Sequence, residues 1–237
     1  IGDTVELAPT GERGRVRGIQ CFLRDAREGA WGQCLALNLS DTGKAEPVRG
    51  QVLVAPGSLE AVRFLHLDMQ AVPGLERPIQ NAEQVKLHTG TIEAPGTLYL
   101  LEEKTIEGGA RGFATVALHE AVAAAPFDRF IIRRASPAAT VAAGEIAAIT
   151  TGEHRPRRAV IIERLAAHRA EFEGVDPASD EGARRRVAFA LRWDRPRGAS
   201  VADLSRATLL LAETVAAALQ ALGASGAALA LGEDYWM

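Results

Sequence analysis

The 237-residue sequence predicts a mainly β protein: two small β-barrels over residues 1–59 and 60–150, then an α+β module over 151–237. Three observations lead there. Up to about Thr150, apolar and polar residues alternate in short runs separated by Gly and Pro, the period of half-buried strands. Beyond a polar stretch, Thr151 to Arg157, the apolar residues recur at helical spacing instead. The last thirty or so residues then return from a Gly-terminated helical run to a short hairpin pattern ending in Tyr235-Trp236.

Within the first segment, Gly2-Asp3 opens the strand TVELAP, and Arg13 to Ile19 forms a second. Gln33 to Leu39 is a third, and Gly50 to Ala55 a fourth before Pro56-Gly57. The second segment carries six runs: EAVRFLHLDM, VKLHTGT, TLYLLE, GFATVAL, DRFIIRR and TVAAGEIAAI. Gly90-Thr91, Pro95-Gly96 and Ser136-Pro137 read as turns, because proline fixes φ and biases its predecessor away from helix. Six strands in so short a span imply closure into a barrel or sandwich.

In the third segment, Arg158 to Phe172 places Val160, Ile161, Leu165 and Ala166 at helical spacing, and a second helix covers Asp180 to about Leu191. Ser200-Val201-Ala202-Asp203 has the capping-box form and starts a short helix ending near Thr208. Another helix runs from about Leu210 to Leu222, with Gly223 as its stop, and Ala227 to Trp236 reads as a β-wing. Helix, helix, turn, helix, hairpin is the winged-helix order.

Composition narrows function. The chain is 47% hydrophobic and 24% charged, with a net charge of −3, so no global nucleic-acid signature is present. Lys44, Lys86 and Lys104 are its three lysines, and the other 24 of 27 basic residues are Arg. A GC-rich coding sequence gives the same bias, while the planar guanidinium also suits phosphate and carboxylate. Cys21 and Cys34 lie in apolar strand-like runs and are expected to be buried free thiols, neither a disulfide framework nor a metal pair. No run approaches about 18 apolar residues and no signal peptide is visible, so a cytoplasmic protein without membrane contact is expected. The first residue is Ile rather than Met, which reads as a fragment.

The motifs resemble the selenocysteine-specific elongation factors (SelB), relatives of elongation factor Tu. That family's third domain carries H-x-G-T, D-R-F-[VI]-[LI]-R and S-P-x-x-T-[IV]-G-G-G in order. Here these are His88 to Thr91, Asp128 to Arg133, and Ser136-Pro137 with Thr140-Val141, the glycine triplet having become Ala142-Ala143-Gly144. Gly2 to Leu7, Val16 to Gln20, Ala30 to Leu39 and Arg49 to Leu53 are similar to the family's second domain, without its opening strand. The C-terminal segment resembles the first of its winged helices.

The resemblance implies a protein that delivers selenocysteyl-tRNA to the ribosome, with an mRNA hairpin gripped by later winged helices outside this sequence. GTP and Mg are expected in the family's G domain. A phosphate-cradling G-x-x-x-x-G-K-[ST] loop is absent from this sequence, so the chain itself is expected to be no enzyme, without a catalytic or metal site, and its parent a translational GTPase.

Arg17, in V-R-x-I-Q, is the residue the resemblance places against the aminoacyl group. A selenol is a stronger acid than a thiol, so a guanidinium there would read the selenolate by its charge. His88 is the second candidate, from the facing domain. On an alternating strand Arg129 and Arg133 share one face and Arg134 takes the other, so the first two are candidates for tRNA phosphates, with ion pairs to Asp128 or Glu145 as the competing explanation.

Arg184-Arg185-Arg186 and Arg192, Arg195 and Arg197 make the third segment look basic, but Thr208 to Met237 holds no Lys or Arg and includes Glu213, Glu233 and Asp234. A DNA reader concentrates cations there, so a monomeric spacer that binds no DNA is expected. The competing readings are an elongation-factor-like interaction module without selenocysteine selectivity, and a winged-helix DNA regulator.

Overall fold

The structure, a computed structural model, describes residues 1–30, 32–41, 47–152, 156–232 and 235–237. Lys44, the middle of the polar stretch (153–155), and Glu233 and Asp234 lie outside the described residues.

β1 (Thr4–Ala8), β2 (Glu12–Cys21), β3 (Arg24–Ala26), β4 (Leu35–Ser40) and β5 (Val52–Val54) form an antiparallel sheet in the order β3-β2-β1-β5, with β4 also on β2. Among the described residues this sheet stays open. Its interior is small, with Leu7, Ala8, Val16 and Ile19 buried. β2 and β3 are joined by Phe22-Leu23, both in the left-handed region with φ 49 and 64, a two-residue hairpin absent from the sequence expectation. The thiols also differ from expectation: Cys21 is half-buried and Cys34 exposed, because Cys34 lies just outside β4.

The second sheet closes. β6 (Ala61–Ala71), β8 (Glu83–Thr89), β9 (Ile92–Leu100), β11 (Arg111–Ala123), β12 (Arg129–Arg134) and β13 (Ala139–Thr150) make a barrel in the order β11-β6-β13-β12-β8-β9. The short strands β7 (Ile79–Gln80) and β10 (Thr105–Ile106) pair beside it. Every second residue turns inward, so Leu65, Leu67, Leu87, Leu98, Ile132 and Ile146 meet in one fully buried cluster. Each such side chain contributes about 1.5–3 kcal/mol.

Gly90 does turn the chain, at φ 54, but Pro95-Gly96 lies inside β9 rather than between strands. Pro95 is tolerated because its pairing is with Lys86 on β8, and β11 joins the other side only from Gly96 onward. Gly96 is required, since a Cβ there would stand 2.7 Å from the Ala117 carbonyl oxygen.

Four helices follow: α1 (Arg158–Phe172), α2 (Asp180–Trp193), α3 (Val201–Thr208) and α4 (Ala212–Ala224). The capping box forms as the sequence requires, Ser200 accepting from the Asp203 backbone N–H while the Asp203 carboxylate reaches back. Gly223 does not stop α4. It lies in the last turn against Trp236, and Gly226, at φ 74, takes the left-handed position beyond the cap. β14 (Ala199–Ser200) pairs with β15 (Tyr235–Trp236), and Ala230 bridges to Trp236.

The helices split between two cores. Val187, Leu191, Leu204, Val215 and Leu219 of α2, α3 and α4 pack together. Ile161 and Leu165 of α1 instead join Leu101, Phe113, Ala147 and Ala148 on the outside of the barrel. Arg158 fastens the start of α1, donating to the Leu101 and Glu102 carbonyls at 2.6 and 3.2 Å. No helix among the described residues is long and apolar enough to cross a membrane.

Candidate functional site

Alternation along β12 sets the barrel's outer face. Phe130, Ile132 and Arg134 point inward, whereas Arg129, Ile131 and Arg133 point out. Arg134 is tolerated inside because Glu83 lies 2.5 Å away and the Pro78 carbonyl accepts at 2.7 Å. Burial pushes the Glu83 carboxyl up, but the Arg134 hydrogen bond, the Gln80 backbone N–H and the charges of Arg134 and Arg77 together hold it below its usual range.

Strand register then gathers the outward residues. His88 on β8 stands opposite Ile131 and, on its other side, opposite Glu93 of β9, while Lys86 faces Arg133. His88, Arg129 and Arg133 therefore surround Ile131, which is 44% exposed. His88 Nε2 is 3.7 Å from a Glu93 oxygen, too far for a hydrogen bond, and has no hydrogen-bond partner among the described residues. The Glu93 carboxylate is taken by Lys86. Arg129 meets Glu145 at 3.4 Å, the ion pair that competes with phosphate contact, and burial pushes the Glu145 carboxyl up. Arg133 has no ion-pair partner within 4 Å among the described residues.

Arg129 and Ile131 also edge a cleft of about 830 Å³ between the barrel and the C-terminal half of α1. Its floor is a carboxylate shared by two guanidiniums. Asp68 of β6 accepts from Arg111 at 3.0 and 2.9 Å and from Arg169 of α1 at 2.8 and 2.6 Å. Arg111 continues to Glu173 at 2.6 Å, and Arg169 stacks 3.9 Å over the Phe113 ring. Burial pushes the Asp68 pKa up, but the hydrogen bonds and charges of Arg169 and Arg111 more than offset it, so the carboxyl is held below its usual range. Sequence reasoning missed this cluster. The available signal was an acid inside the apolar run of β6, which requires a cation once buried.

Arg17 stands elsewhere. The β2–β4 register passes from Val16 opposite Leu39 to Gly18 opposite Asn38, leaving Arg17 as the extra residue of a β-bulge. Its Nε donates to Ser40 Oγ at 2.7 Å and an Nη lies 3.6 Å from Asp41. It lines an open groove of about 730 Å³ with Gln20, Asp25 and Asn38. The structure thus brings His88, Arg129 and Arg133 onto one face, with Arg17 in a separate groove. The first sheet meets the barrel where Arg49 donates to the Thr91 carbonyl at 3.2 Å and Gly50 packs on Ile92, on the turn that follows His88.

Among the described residues no group of three or more His, Cys, Asp or Glu could hold a metal ion.

Comparison with known proteins agrees with the motifs. Residues 68–152 match the beta-barrel domain of the selenocysteine-specific elongation factor, SelB. The chain is 30% identical over 146 residues to a selenocysteine-specific elongation factor of Desulfomicrobium baculatum, covering 62% of this chain and 23% of that protein. It is 25% identical over 193 residues to the one from Haemophilus influenzae, covering 81% of this chain and 29% of that protein. The chain therefore spans about a quarter of the length of the curated relatives it matches, and it resembles part of a SelB-type translation factor.

Proposed function

We propose that the chain is the tRNA-binding and spacer portion of a selenocysteine-specific elongation factor, delivering selenocysteyl-tRNA to the ribosome in the cytoplasm when joined to a GTP- and Mg-binding G domain. The observation that carries this reading is the bulge at Arg17. An unpaired residue in a ladder is a place where a strand re-aims one side chain, and here that side chain is a permanent cation beside an open groove.

The chemistry follows from charge. A selenolate is anionic at neutral pH and a serine hydroxyl is not, so a guanidinium in the groove favours the selenocysteyl ester. Asp41, the present partner, is 70% exposed, and such surface pairs are worth roughly 0–1 kcal/mol. It is readily exchanged for an incoming anion. Where the bound aminoacyl end shields the pair from water, losing one member costs about 2–5 kcal/mol. His88 supplies an imidazole from the barrel, its Nε2 3.7 Å from Glu93, and Arg129 with Arg133 supplies phosphate contacts on the same face. The helical segment acts as a winged-helix spacer toward domains that hold an mRNA hairpin.

The altered glycine triplet does not favour a module without selectivity. A Cβ at Gly144 would lie 2.1 Å from the Asp68 carbonyl oxygen, so the one glycine kept is one that close approach demands. Ala143 is exposed and Ala142 fills the core.

The test compares selenocysteyl-tRNA with its seryl precursor on the GTP-loaded full-length protein and its Arg17→Ala variant. Preference for the selenocysteyl form in the first and its loss in the second supports the reading. Equal binding of both tRNAs by the unaltered protein refutes it.

A further inference from the structure

A third concavity, of about 260 Å³, opens where the linker after β5, the barrel, α1, the α2–β14 loop and α3 meet. Arg164 of α1, Arg195 of the loop and Arg206 of α3 all line it. Three guanidiniums from three elements converge there, although like charges brought together cost energy unless an anion compensates.

Among the described residues compensation is partial, Asp194 lining the cleft and acting on both Arg164 and Arg195. Arg164 uses one Nη on Asp194 at 2.6 Å, while its Nε is buried with no hydrogen-bond partner among the described residues. Arg206 pairs with Asp203 at 2.5 Å, but both side chains are exposed and such a pair exchanges readily. Arg195 donates to the carbonyl of Asp194 at 3.2 Å and its charge acts on the Asp194 carboxylate, but it forms no ion pair within 4 Å among the described residues. Glu60 lines the rim and the Ser58 and Thr151 hydroxyls line the wall.

We propose that this junction binds a phosphate group of an RNA backbone, at a site separate from both the Arg17 groove and the barrel face. A phosphate offers acceptor oxygens in several directions, so it can be met by donors from three elements. A continuous backbone is a better match than a lone ion because Arg192 and Arg197 flank Arg195 in sequence, are exposed, and extend the charge beyond the cleft. This also accounts for a basic loop in a segment whose last helix and hairpin hold no Lys or Arg. RNA approaches from the junction side, not along α4.

The experiment measures binding of deacylated tRNA to this chain across salt concentrations, for the unaltered protein and for Arg195→Ala, Arg206→Ala and Arg206→Lys. Inorganic phosphate is titrated in parallel with thermal melting as the readout, and the circular dichroism spectrum checks folding. The proposal expects each alanine variant to bind tRNA about 5-fold more weakly with a salt slope shallower by about one, and the lysine variant to recover part of both. Unchanged tRNA affinity and slope in both alanine variants overturns it. Loss of phosphate-induced stabilisation with unchanged tRNA binding overturns it in favour of a free-anion site. Because deacylated tRNA carries no aminoacyl group, this outcome is independent of whether Arg17 distinguishes selenocysteine from serine.

Discussion

Asp68 and Arg169, 101 residues apart in sequence, form a two-pronged ion pair with contacts of 2.8 and 2.6 Å that joins β6 of the barrel to α1. Arg111 grips the same carboxylate from β11, so one acid orients two cations and with them the helix that leads into the C-terminal segment.

Removing the acid strands Arg169 and leaves Arg111 with Glu173 alone. Asp68→Asn is expected to destabilise the barrel–α1 unit by about 2–4 kcal/mol, below the full cost of a deeply buried pair because Arg111 is part-exposed. Arg169→Ala is expected to cost less, since Arg111 still neutralises Asp68. Urea unfolding of the two variants checks the order. The sign with pH follows from the lowered pKa: the contribution is complete above the unfolded value of 3.8 and is lost as pH falls through the folded value below it.

His168 gives a second pH dependence in a different window. It sits among Phe127, Phe172 and Phe189, and is 3% exposed. Burial, then Arg164, pushes it down from 6.5 to about 4, with Asp68 pulling the other way. The unfolded chain therefore takes up a proton below 6.5 that the folded chain refuses, and stability falls as pH drops from 6.5 toward 4, by about 3 kcal/mol in total. Asp128, Glu145 and Asp194, whose carboxyls burial pushes up, oppose this slope. His168→Phe isolates the histidine: the difference in unfolding free energy between variant and parent is expected to grow steadily as pH falls through that range. A constant difference would show that His168 does not titrate there.

Much of this was legible in the sequence. The six barrel strands and the extent of α1, Arg158 to Phe172, follow from apolar periodicity, and the start of α3 follows from Ser200 and Asp203. The Phe22-Leu23 turn was not legible, because neither residue favours the left-handed backbone it adopts. The Arg17 bulge was hidden for another reason: an extra residue in a ladder is defined only by the register of the partner strand, here Leu39 and Asn38. The Asp68–Arg169 pair depends on how α1 docks, which no local pattern encodes.

Gly144 offers a test of close packing. A Cβ there would press on the backbone of Asp68 and Met69, at 2.1 and 2.9 Å, and backbone cannot rotate away. Gly144→Ala is expected to cost about 3 kcal/mol or more, at the upper end of overpacking losses. Ala143→Gly, on the exposed side, is expected to cost only about 0.5–1 kcal/mol. Paired melting curves distinguish the two.

The Phe22-Leu23 turn should be improvable. Both side chains are more than 80% exposed, so their removal forfeits little packing. Asn and Gly tolerate positive φ, and the double change Phe22→Asn with Leu23→Gly is expected to raise stability by about 1 kcal/mol in urea unfolding. A loss of stability would mean that these side chains make contacts the exposed tip does not reveal.

Arg129 and Arg133 project from the same face, but their partners differ. Arg129 stands 3.4 Å from Glu145, so a phosphate there must displace a carboxylate, whereas Arg133 has no ion pair to break among the described residues. If the outer face of β12 follows tRNA phosphates, Arg133→Ala should weaken binding more than Arg129→Ala. Its salt slope should also flatten by about one, as expected for one lost phosphate contact. Glu145→Gln should then strengthen binding by freeing Arg129, and that gain should vanish in the Arg129→Ala background. Salt-dependent tRNA binding by the four variants provides the measurement. Equal effects of Arg129 and Arg133, with no gain from Glu145→Gln, would mean that the Arg129–Glu145 pair stays closed and serves only the sheet.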